Sequence, residues 1–502
     1  MNFTVIKMKN DDIPFVFHVF EQNRTVLHGS YISLEEWTDY FINMDTSGGG
    51  DPYESHHIIM ADATPAAWLK IHGWNKPEIC ISMLVVDDEF KHKGIGRFAV
   101  KFAEKQARYW AKSAVLIQTT RDNVIAKECY LKCGYEIIRE MVYKVGDGID
   151  REGYEFKKVI LPEALTKEKL MEVLSKMFGT KIINVDFRSE QLRGGTVGDV
   201  RLITGIAETD VGAKFPYKIV LKVQKKWERR GDPNSWRREY DLYLTNLNSL
   251  FIDSLRWAEC YHVEMNKEEN ETQIWMEYIE GVTGDNLTIE MFERAAYNIG
   301  CFQGKLYTEQ PKFLHDIENF SKVECLKNWY LYCSSQENDL YTYLRSDDCE
   351  LPKHLREMLI ADDDNATTIW ERIESLPVVL CHRDFWYTNI FNNNRKTTVI
   401  DWDSAGWGYM GEDIRQPLTD EMDIDRTVEY YPKCVSSYYK GFSEYADISH
   451  IPISRIEELV LFNLGAGYAK EYMTADTPDK KAVQIDILQK IHEMRVNRYE
   501  NS

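Results

Sequence analysis

No run of residues in this chain approaches the roughly 18 consecutive apolar positions that a membrane span requires. The opening stretch MNFTVIKMKNDD lacks the apolar core of a signal peptide, so a cytoplasmic location is expected. The ten cysteines form no CxxC pairs, which argues for reduced thiols rather than a disulfide framework. Cys129 and Cys133 lie one helical turn apart, but no histidine or third cysteine nearby completes a zinc site. Internal repeats and low-complexity tracts are missing as well. Positive charge is scarce: 61 basic residues face 81 acidic ones, for a formal charge of −20. Such a surface repels nucleic acid and anionic membranes and favours small cationic partners.

What remains is an ordinary folded composition, 44% hydrophobic and 28% charged, on a 502-residue chain too long for a single core. Residues 1–148 alternate helix and strand: helices at 11–29, 34–43, 96–112 and 124–133, and strands at 57–61, 66–72, 80–86, 114–119 and 135–144. The run Gly146-Asp147-Gly148-Ile149-Asp150 breaks that rhythm, and 149–165 reads as a charged linker. Thr166 is the expected N-cap of the next helix, without a full capping box. Strands around 181–191, 200–208 and 217–223 then predict an antiparallel sheet, with a helix at 236–246. From about residue 290 the pattern is helical, except for a strand-rich island at 378–403. A small β-rich lobe (166–280) followed by a larger helical one (281–502) is expected.

That island carries the densest chemistry. In LCHRDFWYTNIF, residues 380–391, His382, Arg383 and Asp384 are followed by Asn389, and VIDWD places Asp401 twelve residues beyond the asparagine. Phosphoryl transfer needs a carboxylate to accept the proton of the attacking hydroxyl and oxygen ligands for magnesium. Asp384 suits the first task, Asn389 and Asp401 the second. HxDxxxxN followed by IDWD resembles the phosphotransferases that include the aminoglycoside phosphotransferases and choline kinases. The resemblance covers roughly residues 170–445 and implies a protein-kinase-like bilobal fold that uses Mg2+ with ATP or GTP. It implies that Gly194, Gly195 and Gly198 approach the phosphates, that Lys222 in KIVLKV grips them, and that Glu239 pairs with Lys222. Backbone groups of Glu277, Tyr278 and Ile279 would form the hinge against the base. Asp403 and Asp413 match acidic residues that buttress the catalytic loop. The basic run Lys225, Lys226, Arg229, Arg230 and Arg237 reads as a solvated loop.

The first region carries a second constellation. SMLVVDDEFKHKGIGRFAVKFAEKQA, residues 82–107, joins an apolar strand to a long amphipathic helix through a Gly94-Ile95-Gly96 turn. Glycines at a helix N-terminus expose backbone N–H groups beside the positive end of the dipole, which is a pyrophosphate site. Lys91, Lys93 and Arg97 add charge. The loop, with NVIAKECYLKCGYEIIRE at 123–140, resembles the GNAT acetyltransferases, with lysine at the position where that family carries Gln or Arg. The resemblance implies a mixed sheet flanked by helices and acetyl-CoA held by Val85, Val86, Lys91, Lys93, Gly94, Ile95, Gly96, Arg97 and Asn123. Tyr130 would protonate the departing thiolate. For the general base, Glu78 and His72 are both open. The adjacent His56 and His57 face opposite sides of a strand, which counts against a shared metal.

Together these readings predict an α+β chain of two transferase domains. The acceptor is a cationic amino-sugar antibiotic of the aminoglycoside type, or, alternatively, a metabolic amino alcohol or sugar. Glu412, Asp420, Glu421, Asp423 and Asp425 are candidates to line an acceptor cleft, although solvated helix faces explain them better.

Overall fold

The computed structural model describes all residues except 28–32, 47–52, 111, 145–148, 193–197, 228, 230–231, 269, 337, 420–422 and 501–502. The chain divides into two compact units, Met1–Leu170 with Gln191–Val200, and Met171–Glu190 with Arg201–Ser502.

In the first unit, β1 (Phe3–Lys7), β2 (Glu54–Ala61), β3 (Thr64–His72), β4 (Glu78–Val86), β5 (Ala114–Thr120), β6 (Glu136–Lys144) and β7 (Asp150–Val159) form one sheet, ordered β1-β2-β3-β4-β5-β7-β6. Helices α1 (Ile13–Leu27), α2 (Leu34–Thr46), α3 (Ile95–Tyr109) and α4 (Val124–Lys132) accompany it. The expected linker at 149–165 is corrected here, because β7 occupies most of it and inserts between β5 and β6. The charges that suggested a linker form ion pairs with neighbouring segments: Glu152 with Arg121, just past β5, at 2.8 Å, Glu155 with Arg139 at 3.0 Å, and Lys157 with Glu78 at 2.6 Å. Between them Tyr154 and Phe156 enter the core.

One departure from a regular sheet matters for function. β4 and β5 are parallel and pair only from Glu78↔Ala114 to Ile81↔Ile117. Beyond that, β5 continues against β7 and β4 continues against β3 as far as Ala67↔Val86, so the two strands part. α3 buries Ile95, Ala99, Val100, Ala103 and Ala107, a single stripe whose alanines let the helix lie close to the sheet.

The second unit starts within α5 (Lys167–Phe178), where the Thr166 hydroxyl accepts the Lys169 N–H at 3.1 Å as an N-cap. β8 (Ile182–Val185), β9 (Arg188–Gln191), β10 (Asp199–Thr209) and β11 (Lys214–Lys225) follow, then α6 (Ser235–Tyr243), β12 (Leu255–Trp257), β13 (Cys260–Asn266) and β14 (Glu271–Glu277). The sheet runs β13-β14-β11-β10-β8, with β9 on β10.

The long helix α7 (Ile289–Glu309) crosses the helix Ile424–Ser443 at backbone contact. A Cβ built at Gly441 would stand 2.2 Å from the Tyr297 carbonyl oxygen, and one at Gly300 2.3 Å from that of Tyr438. On this support sit two small sheets: β15 (Val378–Cys381) with β18 (Gly406–Tyr409), and β16 (Ile390–Asn393) with β17 (Lys396–Val399), which β12 extends. The chain is an α+β protein: a mixed sheet flanked by helices, then a small β-rich lobe and a large helical lobe. Among the described residues no helix is long and apolar enough to cross a membrane.

Candidate functional site

Asn389 and Asp401 are twelve residues apart because a hairpin separates them. β16 and β17 pair from Ile390↔Val399 to Asn393↔Lys396, and the turn residues Asn394 and Arg395 both have positive φ, as a tight two-residue hairpin demands. One step beyond the first pair, the Ile400 N–H donates to the Asn389 carbonyl oxygen at 3.1 Å, which sets the two ligand-type residues at the hairpin base. Asp401 itself is left-handed, φ 67°, and turns its carboxylate toward β11.

There it meets Lys222. The ammonium of Lys222 lies 2.6 Å from Glu239 Oε2, on α6, and 2.6 Å from Asp401 Oδ1. Burial works against the lysine's charge, but Asp401 and Glu239 outweigh it and raise its pKa. Asp401 is driven the other way: burial opposes its ionisation, and Lys222 overcomes that and keeps it below its ordinary value. Three residues drawn from β11, α6 and the hairpin base thus form one ionic cluster, buried at Lys222 and Glu239 and partly open at Asp401.

Asp384 is held by amides. The Asn389 side-chain N–H2 donates to Asp384 Oδ2 at 2.9 Å and to its backbone oxygen at 3.0 Å, while Gln416 Nε2 donates to Oδ1 at 3.2 Å. Burial, then the nearby Asp401 and Asp403, push the Asp384 pKa up to about 6. A carboxylate poised there is suited to proton acceptance near neutral pH. Asn389 keeps its amide oxygen, and Asp401 adds a carboxylate. This all-oxygen pair fits a magnesium ion whose remaining ligands are nucleotide phosphates and water.

The loop is locked from below. Asp413 accepts the backbone N–H groups of His382 and Arg383 at 2.9 and 2.8 Å, and the Gln303 side chain donates to it at 2.8 Å. Arg383, left-handed at φ 62°, buries its guanidinium against Glu412 at 3.0 Å and the Trp407 carbonyl at 2.6 Å. His382 is fully buried; its Nδ1 accepts the Asp384 N–H at 3.2 Å, so the proton sits on Nε2 and is donated to the Ile400 carbonyl at 3.0 Å. Burial lowers its pKa to about 4. A depressed histidine stabilises the fold above its unfolded value of about 6.5, and that contribution is lost as pH falls toward the folded value. The second unit should therefore lose about 3 kcal/mol through His382 between pH 6.5 and pH 4. Chemical denaturation of wild type beside His382→Gln checks it: the gap between their pH profiles should close as the pH drops.

Other expected positions fare differently. Gly194 and Gly195 lie outside the described residues, whereas Gly198 takes the positive φ of 112° open to glycine. Glu277 donates its N–H to the Glu259 carbonyl at 2.8 Å, and Arg256 clasps its carboxylate at 2.5 and 2.9 Å. The expectation that Glu277 offers backbone to a base is corrected for its N–H. Tyr278, whose ring faces Lys218 at 5.5 Å, and Ile279 carry the rest of that segment. Glu412 does not line a cleft, since it is the counter-charge of buried Arg383; Asp423 accepts the Asp425 N–H at 2.8 Å and Asp425 pairs with Lys490 at 2.7 Å. Asp420 and Glu421 lie outside the described residues. In the basic run, Arg229 is not simply solvated: it reaches Ser404 Oγ and lies 3.4 Å from Asp403 Oδ1. Sequence reasoning missed Arg238, which is buried and bonded to Asp232 at 2.6 and 2.8 Å and to the Asp403 carbonyl at 2.6 Å. Its adjacency to Glu239 was the available signal.

In the first unit, the parting of β4 from β5 opens a cavity of about 590 Å3, lined in part by Val85, Val86, Lys91, Gly94, Ile95, Gly96, Arg97, Asn123 and Tyr130. Lys93 does not line it and sits instead 5.1 Å over the Phe90 ring. Gly94 caps α3 at φ 92°, and a Cβ there would meet nothing within 4 Å, so conformation rather than crowding selects glycine. The mouth of that helix is a cradle of exposed N–H groups suited to a pyrophosphate. Lys91 pairs with Asp88 at 2.5 Å. Asn123 caps α4, its Oδ1 accepting the Ala126 N–H at 3.2 Å. Tyr130 is buried with its ring 5.5 Å from Phe156.

Neither proposed base reaches this cavity. Glu78 and His72 sit at the far end of β4 and β3, opposite Ala114 and Cys80, some six and four residues along β4 from Leu84, the nearest strand residue lining the cavity, a separation of roughly 13–20 Å at strand rise. Glu78 is moreover bound to Lys157. Both candidates are withdrawn.

Comparison with known proteins gives two family matches. Residues 18–135 match the Acetyltransferase (GNAT) family and residues 260–432 match the Phosphotransferase enzyme family. An uncharacterized N-acetyltransferase of Lactobacillus delbrueckii subsp. lactis is 24% identical over 155 residues, covering 28% of this chain and 90% of that protein. Among solved structures, an N-acetyltransferase from Staphylococcus aureus Mu50 is 11% identical with a TM-score of 0.27, covering 32% of this chain and all of that one. The spermidine N-acetyltransferase of Vibrio cholerae, in complex with CoA and spermine, is 14% identical with a TM-score of 0.28, covering 32% and 95%. The chain thus carries an acetyltransferase domain of the GNAT family ahead of a domain of the phosphotransferase enzyme family.

Proposed function

We propose that the chain is a bifunctional group-transfer enzyme. The second unit moves the γ-phosphoryl group of ATP or GTP to a hydroxyl of a small acceptor, and the first moves acetyl from acetyl-CoA to an amine. The observation that carries the kinase reading is the joint placement of Lys222, Glu239 and Asp401 in one ionic cluster. Asp384, held by Asn389, completes it as the general base. Asn389 and Asp401 would hold the magnesium, which supplies charge neutralisation of the phosphates. Lys222 would engage the α- and β-phosphates. Gly198 and the glycines before it would cover them, and the backbone of Tyr278 and Ile279 would meet the base.

In the first unit, Gly94, Ile95, Gly96 and Arg97 would hold the pyrophosphate of acetyl-CoA. The edge of β4 at Val85 and Val86, which β5 no longer pairs, would take its arm, and Tyr130 would protonate the leaving thiolate. Tyr130→Phe should cut acetyl transfer about 100-fold while coenzyme A binding, followed by calorimetry, stays unchanged.

An aminoglycoside acceptor is favoured by the fusion of the two chemistries and by the −20 charge, which draws polycations. A metabolic amino alcohol or sugar is the second reading. The burial of Glu412 favours it, because one acid expected to greet a polycation is already neutralised by Arg383. Mass spectrometry of acceptor mixtures with magnesium, ATP or GTP, and acetyl-CoA decides between them. Phosphorylated or acetylated aminoglycoside supports the first reading; modification of amino alcohols or sugars alone rejects it.

A further inference from the structure

Asp384 offers two oxygens, and they are not equivalent. Oδ2 is tied to Asn389, the residue whose amide oxygen is set aside for the metal, so an incoming hydroxyl has Oδ1 as its target. Oδ1 already accepts one hydrogen bond, from Gln416 Nε2 at 3.2 Å. A carboxylate oxygen has two lone-pair directions, so this bond fills one and leaves one.

The helix Glu412–Thr419 that carries Gln416 is anchored for this reach. Its first two residues, Glu412 and Asp413, are both buried: Glu412 holds Arg383 and accepts the Tyr409 N–H at 3.0 Å, while Asp413 holds the His382 and Arg383 amides. Gln416, three and four residues on, falls on the same helix face. It also precedes Pro417, inside the helix, where the α conformation is disfavoured for a residue before proline. A local rule broken beside a candidate active site, with both flanking acids buried to hold the arrangement, is the pattern expected of a functional constraint.

We propose that Gln416 is a positioning residue for phosphoryl transfer: its amide fixes the plane of the Asp384 carboxylate, so that the remaining lone pair on Oδ1 faces the acceptor hydroxyl. The inference rests on the kinase reading of this site. Gln416 moves no proton; it restricts rotation of the group that does.

Basal hydrolysis of the magnesium nucleotide, with water as acceptor, tests this on the full chain without knowledge of the natural acceptor. Gln416→Met keeps length and volume but removes the donor, and Gln416→Ala removes both. Both variants should lose about 10- to 100-fold in kcat, the scale of a misaligned catalytic group, with nucleotide KM and thermal midpoint unchanged. Full activity in Gln416→Met, or a kcat loss matched by changes in KM and midpoint, assigns Gln416 to packing and overturns the inference. Asp384→Asn run alongside separates the two levels. Hydrolysis indifferent to Asp384→Asn fails the parent reading along with this one, whereas hydrolysis that needs Asp384 but ignores Gln416→Met fails this one alone.

Discussion

Asp384→Asn should lower phosphoryl transfer by about two to four orders of magnitude, the span associated with loss of a general base. Two amide donors now converge on the carboxylate, Asn389 on Oδ2 and Gln416 on Oδ1. An asparagine in its place presents one oxygen and one N–H2, so one of those donors faces another donor whichever way the amide turns. The substituted group also has no capacity to take the hydroxyl proton. Phosphate contacts through Lys222 should persist, because its ammonium is held by Glu239 and Asp401 rather than by Asp384. Acetyl transfer in the same preparation should be unaffected, since the 590 Å3 cavity and Tyr130 belong to the other unit. Paired assays of the two activities read this directly. A parallel loss of acetyl transfer would contradict two independent sites.

The parts of this protein legible in its sequence are those fixed by local chemistry. The HxDxxxxN and IDWD spacing could be read because a two-residue hairpin, with its Asn394-Arg395 turn, sets the distance from Asn389 to Asp401 almost irrespective of the rest of the fold. The Gly94 turn was legible for the same reason, a positive φ at a helix start. β7 was not, because its charges mimic a linker until the partners Arg139 and Glu78, brought from β6 and β4, and Arg121, just past β5, are in view. Glu412 misled in the opposite sense: its acid looked like surface, and only the buried Arg383 across from it explains its place. The withdrawn bases show a third limit. Glu78 and His72 belong to the right strands, but position along a strand is a tertiary fact, and both stand at the wrong end. Gln416 left no sequence signal beyond the proline that follows it.

Lys222→Met should injure both stability and activity, and the two losses should be separable. The ammonium stands 2.6 Å from each of two carboxylates in a site where Lys222 and Glu239 are 7% and 2% exposed. Removing one member of a buried ionic group leaves its partners desolvated and uncompensated, which costs about 3–5 kcal/mol. Burial already pushes Glu239 toward its neutral form, with Lys222 the opposing influence, so without the lysine Glu239 should bind a proton more readily still. The denaturation midpoint of the second unit should therefore fall, and fall less at acid pH, where the orphaned carboxylates are neutralised. Adding Glu239→Gln to Lys222→Met removes one of the two stranded charges and should recover part of the stability. Phosphoryl transfer should not return with it, because neither methionine nor glutamine supplies a cation to the phosphates. Recovery of both together would make the lysine a structural ion-pair partner only, whereas recovery of stability alone assigns it to the nucleotide.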